Sequence, residues 1–362
     1  MRYRVSDLAD LNIRSVSKNA KGVIYYIDTS SVFQGHFREA NRYSAIADAP
    51  SRARRLAQEG DTVISMVRPS NEHIGFIDFD TDNYVFSTGF VVVHPNSEIV
   101  EPFYLYLLLS LDSTTRYLQQ IAETSTTAYP SVKVEDIGNL SFDIPEISKQ
   151  RKIVHKIRII EQKIKLNQEI NDNLLDVAQL IFNSMFPNVN YGTQTIGELT
   201  RNFDKLRKPL SKKQRIEIQG NYRYIGATSV NDYISKYNFD GIYLLLAEDG
   251  SVQDNNGFPI LQYVFGKFWP NNHTHVLQGN NISTEWLYLF FRQHKVSELV
   301  TGAVQPKISQ SNLNKISITA PTEEEKEIFS TRTDNIFSLI RQNELQNTNL
   351  LMLKNLLLSK YF

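Results

Sequence analysis

Clustered basic side chains are the residues of this sequence whose type and spacing best suit chemistry on a charged partner. The first half of the chain places five arginines within 18 residues: Arg38, Arg42, Arg52, Arg54 and Arg55. The second half carries seven basic residues and one acid within residues 201–215, a local net charge of +6 (seven minus one): Arg201, Lys205, Arg207, Lys208, Lys212, Lys213 and Arg215, with Asp204. Arginine reads guanine with two hydrogen bonds or holds phosphates. One cluster in each half favours a polyanionic ligand over an ordinary solvated face.

Two polar loops add hydroxyl and amide groups to these clusters. Residues 124–130, which include Ser125 and Thr126, and residues 301–306 both end in proline. Such short side chains suit phosphate positioning and base edges, although an ordinary turn would have the same composition. Arg68 stands after a predicted strand, where a loop would hold it in place.

Catalytic signatures are missing from the sequence. It contains no GxxxxGK[ST], GxGxxG, GxSxG or HExxH motif. His273 and His275 are the only close pair among seven histidines, and with no cysteine nearby we expect a solvent-facing or DNA-facing pair rather than a metal site. The acids Asp78, Asp80 and Asp82 are interpreted as a hairpin turn, and residues 323–325 as a helix start. We therefore predict no catalytic residue and no metal.

An internal repeat organises the chain. An offset of 176 relates Pro130 to Pro306, Ser141 to Ser317 and Pro145 to Pro321, and it continues to residues 185–186 and 361–362. Each copy begins with short β-type runs and turn signals, which predict an α+β domain. Each copy ends in a stretch without internal glycine or proline. The predicted division is a globular domain at 1–145, a helix at 146–186, a second globular domain at 187–320 and a helix at 321–362. The predicted strands are 23–27, 62–67, 86–93, 242–246 and 260–265.

The two predicted helices carry a heptad seam. Apolar residues alternate at spacings of four and three from Ile153 to Met185, and the same positions plus 176 form a second seam. Both seams have two central asparagines: Asn167 and Asn171, then Asn343 and Asn347. In an antiparallel pair Asn167 faces Asn347 and Asn171 faces Asn343, since both sums equal 514. A buried asparagine fixes register when it is paired. The sequence predicts two similar domains separated by long antiparallel coiled-coil helices and related by a pseudo-twofold axis.

Composition excludes several classes of protein. The 362 residues contain 39 basic and 39 acidic side chains and no cysteine, which rules out disulfides and cysteine-based zinc sites. No apolar run approaches the roughly 18 residues of a membrane span, so we expect a cytoplasmic protein. The neutral total hides unlike parts: 1–145 holds 13 basic and 18 acidic residues, whereas 187–320 holds 14 and 10. Neutrality is therefore compatible with local DNA binding, and it favours a chain that works inside a complex.

Several segments resemble the specificity subunit of type I restriction–modification systems across essentially the whole chain. Residues 50–54, 60–65 and Arg68 are similar to a first target-recognition domain, and residues 240–252 and 268–277 resemble another common one. Pro145, Gln150 and Ile153 match the family's Pro-x-x-x-x-Gln-x-x-Ile helix entry. The second copy departs from this pattern, because Lys326 replaces the glutamine.

The resemblance implies a non-catalytic DNA-recognition subunit. Each recognition domain would read one half of a bipartite double-stranded target, and the helices would set the gap and dock two methyltransferase subunits. S-adenosylmethionine and ATP are expected on partner subunits, which include restriction subunits. We expect base contacts from Arg68, Asn271, Asn272, His273 and Lys307. We expect phosphate contacts from eight residues of the basic clusters: Arg52, Arg54, Arg55, Lys205, Arg207, Lys208, Lys212 and Lys213. The alternative is a two-headed protein-interaction scaffold without direct DNA readout.

Overall fold

The structure, a computed structural model, describes residues 1–17, 20–124, 130–302 and 304–362. The chain divides into two compact units. The first comprises Met1–Lys163 and Leu350–Phe362, and the second comprises Ile164–Asn349. Both divisions fall inside long helices, so each unit contains part of both. Within the described residues, no helix is both long and apolar enough to cross a membrane.

The first unit mixes short strands and helices, which confirms the predicted α+β class. Its elements are β1 (Arg2–Arg4), α1 (Val5–Leu8), β2 (Ala9–Leu11), β3 (Ile24–Ile27), β4 (Val32–Phe33), β5 (His36–Phe37), β6 (Asn41–Tyr43), β7 (Ala53–Arg55), β8 (Thr62–Ser65), β9 (Ile74–Phe76), β10 (Tyr84–Ser87), β11 (Phe90–Pro95), α2 (Pro102–Leu109), α3 (Asp112–Glu123), α4 (Val134–Gly138), β12 (Ser141–Asp143) and the start of α5 (Ile147–Met185).

Two four-stranded sheets organise this unit, with strand orders β6-β3-β10-β7 and β2-β11-β8-β9. The main core lies where α2 and the start of α5 pack on the second sheet, and it buries Val91, Tyr104 and Ile157. The guanidinium of Arg158 lies 4.1 Å from the centre of the Phe103 ring, so its charge is stacked on the same apolar layer.

The second unit has one larger sheet. Its elements are β13 (Gln194–Thr195), β14 (Thr200–Asn202), α6 (Lys212–Glu217), β15 (Gln219–Ile225), β16 (Val230–Ile234), β17 (Phe239–Ala247), β18 (Leu261–Pro270), β19 (Thr274–Gly279), α7 (Thr284–Gln293), β20 (Val300–Thr301), β21 (Lys307–Ile308), α8 (Gln310–Asn314), β22 (Ser317–Ile318) and most of α9 (Glu323–Tyr361). The six-stranded sheet has the order β14-β19-β17-β18-β15-β16. Its core joins α7 to the long helices through Trp286, Phe182 and Phe329.

Two local predictions in the first unit are wrong. The apolar run 86–93 forms the ends of two strands, β10 and β11, which belong to different sheets and are separated by Thr88 and Gly89. The acids Asp78, Asp80 and Asp82 do not occupy a hairpin turn, because the flanking strands β9 and β10 also belong to different sheets. Asp78 instead accepts a hydrogen bond from Arg158 at 3.3 Å.

The repeat is visible in the backbone. Both α4 and α8, and likewise α5 and α9, are related by an offset of 176 at each end. Upstream, hydrogen bonds give the equivalences: Val132 N donates to Met66 O and Ile308 N donates to Glu248 O, each at 2.9 Å. Bridges likewise join Val67 with Ser131 and Asp249 with Lys307. Met66 therefore corresponds to Glu248, and Ser131 to Lys307.

The long helices bury their predicted seams, whose members are all buried or half-buried. In the second unit Asn167 Nδ2 donates to Asn347 Oδ1 at 2.8 Å, and Asn343 Nδ2 donates to Asn171 Oδ1 at 2.8 Å. These are the two pairs that the sequence predicts, and the helices are antiparallel there. In the first unit the Lys354 ammonium lies 2.7 Å from Glu161 Oε1. This contact also joins the early part of α5 to the late part of α9, as an antiparallel pair requires.

Candidate nucleic-acid interface

The basic residues of the first unit lie on separate short strands and turns. Arg38 and Arg42 are exposed and line a cavity of about 450 Å³ together with Tyr25, Phe79 and Tyr84. Tyr25 and Tyr84 are neighbours on parallel strands, and their rings stack with centroids 5.3 Å apart. Among the described residues, no ion pair includes any of the five clustered arginines. Their positive charge is therefore not neutralised by a contacting carboxylate.

The three arginines at strand β7 that are predicted to contact phosphates differ in exposure and direction. Arg52 is exposed in the turn before β7, whereas Arg54 and Arg55 are half-buried within it. Adjacent strand residues point to opposite faces, so Arg54 and Arg55 do not form one basic surface as the sequence cluster predicts. Arg54 Nη1 donates to the Ala53 carbonyl at 3.0 Å.

Arg68 is held at a loop by its backbone. It has φ 49° and ψ 69°, the left-handed region, and it precedes the short turn of Pro69–Asn71. Its backbone N–H donates to Pro130 O at 2.9 Å, and its side chain is exposed. The predicted contacts Ser125 and Thr126 lie outside the described residues.

The exposed lysines of the second unit lie along one segment after β14. Lys205 lies within the short turn of Asp204–Leu206, Lys208 follows it, and Lys212 and Lys213 begin α6. All four side chains are exposed. The segment is anchored to the sheet, since Trp269 Nε1 donates to Lys208 O at 2.6 Å. A backbone held in this way presents the lysines from a fixed path.

Arg207 interrupts this row of exposed cations, and the structure does not leave it available as a phosphate clamp. Its side chain is only 14% exposed. Its Nη1 lies 2.7 Å from Glu248 Oε2 and 2.6 Å from Thr274 O, and its Nε donates to Asp204 O at 3.0 Å. A guanidinium engaged with this many acceptors binds protein rather than DNA.

The predicted base readers of the second unit divide into one buried and three exposed residues. Asn271 is 7% exposed, and its Oδ1 accepts the backbone N–H of His273, so its amide oxygen shapes the loop, and the base contact stays a prediction. Asn272, His273 and Lys307 are exposed. His273 Nδ1 lies 2.6 Å from Asp249 Oδ1, and the Lys307 ammonium lies 3.0 Å from Glu248 Oε1.

His275 contradicts the expectation of a solvent-facing histidine pair. It is 1% exposed; its Nδ1 lies 2.6 Å from Asp204 Oδ2, and its Nε2 donates to Ile308 O at 2.9 Å. Burial opposes ionisation of Asp204, but hydrogen bonds from His275, Val276 N and Asn202 hold the pKa of its carboxyl below the usual range.

Three of these side chains have the composition of a metal site. Ligand atoms of Asp204, Glu248 and His275 lie within 4.8 Å of one another. The two carboxylates, however, already face the guanidinium of Arg207, and Glu248 also faces the ammonium of Lys307. These cations neutralise the charge that a metal ion would require, so we assign the cluster to ion pairing.

Sequence reasoning missed Glu248, Asp249 and His275 as members of this interface. The available signal was Asp204, the one acid within the basic run of residues 201–215. Its partner His275 lies 71 residues away in sequence (275 minus 204), and Glu248, which shares Arg207 with it, lies 44 residues away (248 minus 204), separations that a local pattern cannot bridge.

Comparison with known proteins places both copies in one family. The family model described as the type I restriction modification DNA specificity domain matches residues 2–176 and again residues 188–353. The HindI specificity subunit of Haemophilus influenzae is 36% identical over 184 residues, covering 51% of this chain and 40% of that protein. The EcoDI specificity subunit of Escherichia coli is 26% identical over 158 residues, covering 43% of this chain and 33% of that protein. The chain thus spans well under half the length of these curated relatives.

A solved structure supports the fold. The S subunit of a type I restriction–modification system from M. genitalium aligns over 100% of this chain and 96% of that chain, with a TM-score of 0.54 and 12% identity. With both copies matched in sequence, the chain belongs to the family of type I restriction–modification DNA specificity domains.

Proposed function

We propose that this chain is the DNA sequence-specificity subunit of a type I restriction–modification complex, in which each specificity domain reads one half of a bipartite target. The observation that carries the proposal is the match of the family model to both copies of the repeat. Each copy also presents exposed basic side chains, such as Arg52 in the first and Lys208 in the second.

The division of labour follows from what this chain's residues can do. Exposed lysines and arginines hold phosphates, which positions the protein without reading sequence. Arg68 and Asn272 stand on loops and Lys307 begins strand β21; all three side chains are exposed and are assigned to base contacts. The chain itself is non-catalytic in this proposal, and S-adenosylmethionine and ATP bind to partner subunits.

The long helices set the gap between the half-sites and dock two methyltransferase subunits in this proposal, with restriction subunits completing the complex. Support comes from large apolar side chains on their outer surfaces. Leu180 on α5 is 68% exposed, Ile159 is 50% exposed and Leu356 on α9 is 66% exposed. Exposed aliphatic groups along a helix are suited to a protein partner.

The test is co-expression with type I methyltransferase subunits from the same organism, followed by mapping of methylated adenines in the host genome. We expect one bipartite motif with a fixed gap, which disappears when this chain is omitted. An assembled complex that neither methylates DNA nor binds any duplex would overturn the proposal and favour the interaction scaffold.

Two variants then separate readout from affinity. Arg68→Ala should relax discrimination at one base pair by about 1–3 kcal/mol. Lys208→Met should weaken binding to all duplexes and reduce the slope of log K against log[salt] by about 0.9. An equal loss on every duplex for Arg68→Ala would remove Arg68 from the base readers.

A further inference from the structure

A nearly buried cluster of charged and polar side chains lies beneath the exposed loops of the second specificity domain. Arg207 and Glu248 are each 14% exposed, Asp204 is 11% exposed and His275 is 1% exposed. Lys307 is the one exposed member. Charges removed from water in this way persist only when they are paired with good geometry.

Arg207 joins two segments of the candidate interface. Its Nη1 contacts Glu248 Oε2, the Thr274 carbonyl at 2.6 Å and the Asn272 carbonyl at 3.2 Å. Asn272 and His273 lie in the loop between β18 and β19, while Lys205 and Lys208 lie on either side of Arg207 itself. The guanidinium of Arg207 therefore fixes the loop that carries Asn272 and His273 against the segment that carries Lys205 and Lys208.

Glu248 and His275 bring in the third segment. Glu248 Oε1 faces the Lys307 ammonium at 3.0 Å, and the Ile308 N–H donates to the Glu248 carbonyl at 2.9 Å. His275 Nε2 donates to the Ile308 carbonyl at 2.9 Å, and its Nδ1 faces Asp204. Strand β21, on which Lys307 stands, is thus tied both to Glu248, which follows β17, and to His275 on β19.

The equivalent strand ends of the first domain also meet, but without these charges. We call this meeting point, formed by residues 66–68 with 130–132 in the first domain and by 248–250 with 306–308 in the second, the junction. Met66 stands where the second domain has Glu248, and Ser131 stands where it has Lys307. The sheet registers pair Val91 with Ile64 and His275 with Leu246, so the buried histidine corresponds to Val91. The fold therefore accepts neutral side chains at these three positions, and Glu248, His275 and Lys307 are a particular feature of the second domain.

We propose that Arg207, Glu248 and His275 are positioning residues that hold three DNA-facing segments of the second domain in one geometry without touching DNA. This inference rests on the proposed function. It assigns the sequence selectivity of the second domain partly to an ion-pair cluster beneath the loops. The cluster acts through Asn272, His273 and Lys307, whose side chains it places.

The experiment uses the complete complex with its methyltransferase subunits and the target found by adenine mapping. Binding is measured on the target, on a duplex altered in one half-site and on a duplex altered in the other, across a series of salt concentrations. The variants are Arg207→Met, Arg207→Lys and Glu248→Gln, and Lys208→Met is the matched control at the exposed neighbour. Thermal unfolding of each complex identifies variants that fail to fold.

We expect Arg207→Met and Glu248→Gln to lower discrimination at one half-site at least tenfold, with the other half-site changed less than twofold and the salt slope unchanged. Arg207→Lys should lose the same discrimination, because one ammonium cannot stand both where Nε donates to the Asp204 carbonyl and where Nη1 contacts Glu248 and the Thr274 carbonyl. Lys208→Met should weaken all three duplexes equally and reduce the salt slope by about 0.9.

Two results would overturn the inference. In one, Arg207→Met weakens all duplexes equally with a reduced salt slope and Arg207→Lys restores binding, which makes Arg207 a phosphate contact. In the other, the folded Arg207→Lys and Glu248→Gln complexes keep full discrimination, so that the cluster positions nothing that reads DNA. Failure of the proposed function is different, because the unaltered complex would then show no preference among the three duplexes.

Discussion

The two copies of the repeat keep the same helices and differ where their central strands end. Helices α5 and α9 have equal lengths at a constant offset, whereas the positions of Glu248, His275 and Lys307 in the second copy are taken by the neutral Met66, Val91 and Ser131 in the first. In the first copy, backbone hydrogen bonds between residues 66–68 and 130–132 close the junction. In the second copy the equivalent bonds remain, and Glu248, Lys307 and Arg207 are added to them.

The difference shows that a basic cluster in sequence can have two structural meanings. The five clustered arginines of the first copy, Arg38 to Arg55, are spread over turns and short strands without ion pairs among the described residues. The basic run of the second copy splits into exposed lysines and one arginine that holds the loops together. Charge density alone does not separate a ligand contact from a structural cation, since only the position of the acids does so.

The largest expected loss of stability comes from replacing Glu248 of the second junction with methionine, the residue at the equivalent position of the first. Glu248→Met should destabilise the second unit by about 3 kcal/mol, because Arg207 would stay nearly buried without its closest carboxylate. Both tryptophans, Trp269 and Trp286, lie in that unit, so tryptophan fluorescence during denaturant unfolding reports on it. Met66→Leu in the first copy is the control and should leave this transition unchanged. Equal midpoints for the two variants would show that the charged junction adds no stability.

The entry to the long helices offers a second contrast. Gln150 is fully buried: its Oε1 accepts from Glu101 N, and its Nε2 donates to the carbonyls of Pro145 and Ile99. Gln150→Ala should cost about 2 kcal/mol, because it leaves these buried groups unpaired. Lys326→Ala, at the equivalent position, should cost less than about 0.5 kcal/mol, since Lys326 only pairs with the exposed Glu323. Hydrogen exchange at the Glu101 amide measures the first effect, and unchanged protection there would contradict it.

Both copies share the asparagine layers, and substitutions in these layers should destabilise the protein less than those above. Asn347→Leu should cost about 1–2 kcal/mol, because Asn167 is fully buried and would lose one of its two side-chain acceptors. The double variant Asn167→Leu/Asn347→Leu should recover most of that loss, as a double-mutant cycle in denaturant would show. Additive losses would mean that the two side chains are not energetically coupled.

Lowering the pH should change the stability of the charged junction less than the three sets of substitutions above. Burial raises the pKa of Glu248, but hydrogen bonds from Arg207 and Lys307 outweigh this and lower it from its usual value of 4.5. A lowered folded-state pKa means that the unfolded chain binds more protons, so stability is present above about pH 4.5 and is lost as the pH falls through the folded value. Glu248→Gln should flatten the pH dependence of the tryptophan-monitored transition below pH 4.5. A slope equal to that of the unaltered chain would show that other carboxyls dominate.

Regular, local patterns in the sequence predicted the parts of the fold that repeat. The offset of 176, the seams and the asparagine pairs all follow from spacing within one helix and its copy. The split of residues 86–93 into two strands was not predictable in this way, because the apolar run continues through a change of sheet at Thr88 and Gly89.

The candidate site was predictable only in part, and the missing part is long-range. Exposed lysines such as Lys208 and Lys212 could be found from charge density. The roles of Arg207 and His275 depend on partners brought together by the sheet, such as Glu248 at 41 residues from Arg207 (248 minus 207). A buried polar residue looks the same as an exposed one in sequence until its partner is known.

The charged junction also defines how the second domain could be moved as a module. Every partner of the cluster lies between Asp204 and Ile308, within one continuous segment. A graft that carries this whole segment into another scaffold takes all of the counter-ions with it. A graft joined anywhere between Arg207 and Glu248 would leave nearly buried charges facing foreign residues. Successful exchange of the domain is therefore constrained by the bounds of its ion pairs more tightly than by the bounds of its strands.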